Sequence, residues 1–88
     1  MSSEKVRADR LTLKAARVRL EMDQAELAKA AGLTQTTVSD FEIGKTKPHE
    51  STRAVIQTAL EDRGIVFTNG DMPGFYFNKN KDKVITPT

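Results

Sequence analysis

Gln35, Thr36, Ser39 and Asp40 fall within six residues of one another, and their side chains are polar hydrogen-bonding groups. On a helix these four share the broad face opposite Val38 and Phe41. Polar groups displayed this way suit hydrogen bonds to base edges in a major groove. Asp40 is an acid, so it either accepts from a cytosine amino group or repels sequences that offer none. The helix runs into Gly44-Lys-Thr-Lys-Pro48. In that loop Lys45, Thr46 and Lys47 suit phosphate contacts, and Gly44 lets the backbone approach closely. Arg10 and Lys14 are candidate phosphate neighbours, whereas Arg17 has two options, a phosphate or Glu42. Thr34 and Thr37 belong to the first turn of the polar helix, as cap and support.

Other chemistries lack their residues. The chain has no cysteine and a single histidine, His49, so no metal site is expected, and His49 reads as a loop or pre-cap residue. There is no nucleophile with a neighbouring base and no phosphate-binding glycine-rich loop, so neither an enzyme nor a cofactor is expected. No run approaches the roughly 18 apolar residues of a membrane span. The polar N-terminus lacks an export signal, which makes a cytoplasmic location the expectation. The net charge of +2 is mild but uneven. Residues 1–20 carry six basic against two acidic groups, residues 21–77 five against nine, and the tail from Asn78 three against one. Basic ends of this kind either flank an anionic ligand or keep a small protein soluble.

The 88 residues suit one small domain. Leu13, Ala16 and Leu20 lie on one face of a first helix over about 11–20. Asp23 followed by Glu26 at the third helical position is an acidic capping box, opening a second helix that Gly32 ends. Thr34 caps a third helix, Gln35 to about Ile43, ended by Gly44. Ser51 or Thr52 is the expected cap of a fourth helix, with Val55, Ile56, Ala59 and Leu60 as its apolar stripe and Gly64 as its stop. Ile65 to Thr68 and Gly74 to Phe77 are strand-like, and Asn69-Gly70 signals the turn of a hairpin with a five-residue loop. The division expected is a helical domain over 1–64 and a β-extension with its tail over 65–88.

Counting from Gln24, small or apolar residues stand fourth (Leu27), fifth (Ala28), ninth (Gly32), tenth (Leu33), fifteenth (Val38) and eighteenth (Phe41). Each has a steric reason. Ala28 permits a close helix crossing, Gly32 a sharp turn, and the larger side chains clamp two helices at a fixed angle. This pattern, with Asp23-Gln-Ala-Glu-Leu-Ala-Lys-Ala-Ala-Gly-Leu-Thr-Gln and Phe41-Glu-Ile-Gly-Lys-Thr-Lys-Pro48, resembles the Cro/CI (XRE) family of helix-turn-helix regulators across about residues 11–61.

The resemblance implies a mainly α, lambda-repressor-like bundle of four to five helices, here with a small C-terminal β-hairpin. It implies that Gln24 contacts the DNA backbone and braces Gln35, which reads a base, and that Arg17 pairs with Glu42. It further implies a transcriptional regulator that binds a near-palindromic duplex operator as a homodimer. The apolar and aromatic hairpin residues Ile65, Phe67, Phe75 and Phe77 are the expected dimerisation element, with helix 4 as the alternative interface. A competing reading is an antitoxin or regulator-binding module that uses the same fold mainly to grip a second protein.

Overall fold

A computed structural model describes residues 6–45, 49–69 and 73–78. Its elements are α1 (Arg10–Arg19), α2 (Gln24–Ala31), α3 (Gln35–Ile43), α4 (Glu50–Glu61), β1 (Ile65–Thr68) and β2 (Gly74–Phe77). The fold is mainly helical with a two-stranded antiparallel hairpin, and the described residues hold four helices rather than five.

Local chemistry accounts for most element ends. Asp9 caps α1 by accepting from the Thr12 amide at 2.8 Å. This bond, the largest influence on the Asp9 carboxyl, holds its pKa below the ordinary value. Asp23 and Glu26 form the reciprocal capping box of α2, and Thr34 caps α3 through the Thr37 amide. Helix α2 ends in a Schellman motif: Gly32 is left-handed at φ +73°, and the Leu33 amide donates to the Ala28 carbonyl at 2.8 Å. Helix α1 ends in the same way, with Glu21 at φ +58° in place of a glycine.

Helix α4 departs from expectation at both its start and its inner face. It begins at Glu50, so Ser51 and Thr52 lie inside the helix, while His49 occupies the cap position without a side-chain capping bond. Val55 is exposed, and the inward positions are Arg53, Ile56, Gln57, Ala59 and Leu60. The reason is the N-terminal segment, whose backbone groups need partners where it crosses α4. Gln57 accepts from the Ala8 amide at 3.0 Å and donates to the Val6 carbonyl, while Arg53 donates to the Ala8 carbonyl at 3.0 Å. Glu50 completes the network, accepting from Arg53 at 2.6 Å and from Arg7 at 2.8 Å. Those bonds from Arg53 and Arg7 pull the Glu50 carboxyl down to about 2.

The hairpin registers Ile65 with Phe77, Val66 with Tyr76 and Phe67 with Phe75. Alternation puts Ile65 and Phe67 on the core side, where both are buried beside α4. Both are expected at a dimer contact, and within the single chain they complete its own core. Phe75 and Phe77 pack on the same core while partly exposed. Phe75 lies 6.3 Å from the Phe67 ring centroid, and the Arg19 guanidinium sits 4.8 Å above the Phe77 ring. Val66 and Tyr76 take the other face. Gly70, the second residue of the turn signal, lies outside the described residues. Among those described, no helix is long and apolar enough to cross a membrane.

A Cβ at Gly32 would meet nothing within 4 Å, so only its left-handed φ constrains the residue. Gly32→Val is therefore expected to destabilise the fold by more than about 1 kcal/mol in urea unfolding, and Gly32→Asn by less. An unshifted valine variant would contradict the left-handed turn.

Candidate nucleic-acid interface

Helices α2 and α3 pack through Leu27, Ala28, Val38 and Phe41, all buried. With its inner side committed, α3 leaves Gln35 and Thr36 exposed and Ser39 and Asp40 half-buried. Among the described residues none of these four side chains has a partner, so their donors and acceptors are available to a ligand. Ile43, eight residues after Gln35, is exposed and lengthens the face with an apolar group. Thr34 and Thr37 are engaged with each other at 2.9 Å, which assigns them to the helix start.

The underside of α3 is anchored by Glu42, whose side chain is 2% exposed against 12% for Arg17. Arg17 grips this carboxylate with both arms of its guanidinium, Nε at 2.7 Å from Oε2 and Nη2 at 2.9 Å from Oε1. Its third donor, Nη1, reaches the Met22 carbonyl at 2.6 Å. Gln24 Nε2 donates to Glu42 Oε1 at 3.0 Å. Burial opposes ionisation of Glu42, but the hydrogen bonds from Arg17 and Gln24, with the charges of Arg17 and Lys14, outweigh it and hold the carboxyl below its ordinary pKa. Of the two options open to Arg17, the structure thus shows the pair with Glu42. Gln24 is bonded to Glu42 and not to Gln35, so one carboxylate ties together α1, α2 and α3.

The cations around this face differ in their freedom. Lys14 and Lys45 are exposed. Arg10 is engaged, its Nη1 donating to the Glu42 backbone carbonyl at 2.7 Å. Sequence reasoning missed this role because the contact spans 32 residues and follows no local spacing rule. Thr46 and Lys47 lie outside the described residues. Among those described, no cluster of His, Cys, Asp and Glu could hold a metal ion.

A family model described as helix-turn-helix matches residues 13–52, which include α2, α3 and the turn between them. No curated protein matches the chain.

Removing one partner of a buried ion pair leaves an uncompensated charge. Arg17→Met should therefore cost about 3–5 kcal/mol near neutral pH. The sign of its pH dependence follows from linkage. In the parent protein the lowered Glu42 pKa contributes stability above pH 4.5 that is lost as the pH falls through the folded value. In the variant, burial without Arg17 raises that pKa, so protonation favours the folded state. The stability gap between the two proteins should shrink on acidification below about pH 5 in urea titrations. A gap that stays constant with pH would contradict this role for Glu42.

Proposed function

Residues 13–52 are a helix-turn-helix domain of the Cro/CI (XRE) type, a family of DNA-binding regulators, and from that premise we propose that this chain is a sequence-specific transcriptional regulator of duplex DNA. The observation that carries the reading is the outward face of α3, with Gln35, Thr36, Ser39 and Asp40 unpartnered on a helix that its buried side clamps in place. Gln35 is the leading base reader, and Lys45 and Lys14 are the exposed cations suited to phosphate among the described residues. In this reading the protein works in the cytoplasm, without a cofactor.

One such helix spans only a few base pairs, too few to mark a unique site. A homodimer on a near-palindromic operator, with half-sites about 34 Å apart, supplies the missing length. The hairpin surface open to a second copy is Val66 and Tyr76, rimmed by Phe75 and Phe77, since Ile65 and Phe67 are buried in their own chain. A second reading, a module that grips another protein, draws on the exposed Leu11 and Val18, which share one face of α1.

Selection of duplexes from a random pool tests the proposal directly: enrichment of one near-palindromic motif supports it, and an unenriched pool opposes it. On the selected duplex Gln35→Ala should lose about 1–3 kcal/mol of binding while random duplex binding stays nearly constant. Lys45→Ala should weaken binding to every sequence and lower the salt slope by about one. Equal losses on both duplexes for Gln35→Ala would remove it from base reading. For assembly, Tyr76→Asp should shift micromolar protein from dimer to monomer in light scattering, and an unchanged dimer would move the interface to α4.

A further inference from the structure

The end of α3 is built from two parts of the chain. Within the helix, Gly44 at φ +71° closes a Schellman motif: its amide donates to the Phe41 carbonyl at 3.2 Å, and the Lys45 amide to the Asp40 carbonyl at 3.1 Å. Among the described residues, those bonds leave the next carbonyl, that of Glu42, without a backbone donor. Arg10 supplies a side-chain donor from α1, Nη1 donating at 2.7 Å. Its guanidinium also lies against Gly44, where a Cβ would come within 3.1 Å of Cζ and 3.2 Å of Nε. A planar cation therefore both satisfies the helix terminus and covers the glycine that turns the chain toward Lys45.

We propose that Arg10 is a positioning residue for Lys45, acting through Gly44 at the end of α3 rather than by touching DNA. Its functional consequence rests on the DNA reading above, but the positioning does not. Arg10 holds the last turn of α3 shut, so Lys45 leaves the helix in one direction. The geometry also explains why glycine suits position 44: any side chain there meets both the left-handed φ and the guanidinium.

Amide exchange measured by NMR on the free full chain reads the positioning without DNA. In Arg10→Ala the Lys45 amide should exchange at least about tenfold faster, while the Ile56 and Leu60 amides stay protected. Arg10→Gln, which keeps a side-chain donor that is too short, serves if the alanine variant unfolds, with the same expectation. An unchanged Lys45 rate in a folded variant overturns the proposal. Binding to duplex then separates the two routes to DNA. If Arg10 acts through Lys45, Arg10→Ala and Lys45→Ala each lower the salt slope by about one and the double variant lowers it no further. A double variant that lowers the slope by about two makes Arg10 a phosphate ligand and overturns the proposal. A parent chain that binds no duplex refutes the DNA reading, and the exchange result still decides the positioning.

Discussion

A single carboxylate, that of Glu42, determines how the helices meet. It is buried, and an ion of that size inside a protein is tolerated only when its hydrogen-bonding capacity is met. Arg17 from α1 and Gln24 from the start of α2 meet it, so the angle between α3 and its two neighbours is fixed by directed bonds as well as by apolar packing. Leu27, Ala28, Val38 and Phe41 fill the space beneath. Apolar contacts alone tolerate small rotations of a short helix, whereas a two-armed guanidinium contact does not.

The rest of the chain secures this arrangement from outside. Arg53 and Gln57 hold the N-terminal segment on α4 through backbone bonds, and every buried side-chain nitrogen or oxygen among the described residues has a partner. The hairpin closes the far side with Ile65 and Phe67, and Arg19 lies over Phe77. The polar face of α3 is thereby left as the side of that helix that the fold does not use.

Legibility in the sequence followed the range of the interaction. The capping box of Asp23 and Glu26, the Thr34 cap and the glycine stops at 32 and 44 are local, and all stand where their residue types put them. The turn at Glu21 gave no such signal, because a glutamate there does not announce a left-handed backbone. On α4 the apolar spacing pointed to Val55, whereas Arg53 and Gln57 face inward to serve backbone groups more than forty residues away. Partners at that distance leave no periodic trace. The bond from Arg10 to the end of α3 was hidden for the same reason, and so was the preference of Gln24 for Glu42 over Gln35.

One surface on one helix, the polar face of α3, is where the chain should meet duplex DNA. Amide shift mapping by NMR, during titration of the full chain with a selected duplex, tests it most directly. The account predicts that the largest shifts fall on Gln35, Thr36, Ser39, Asp40 and Lys45, with the α4 core residues Ile56 and Leu60 unmoved. Shifts concentrated instead at Leu11 and Val18, or at Tyr76, with α3 unperturbed, would contradict it.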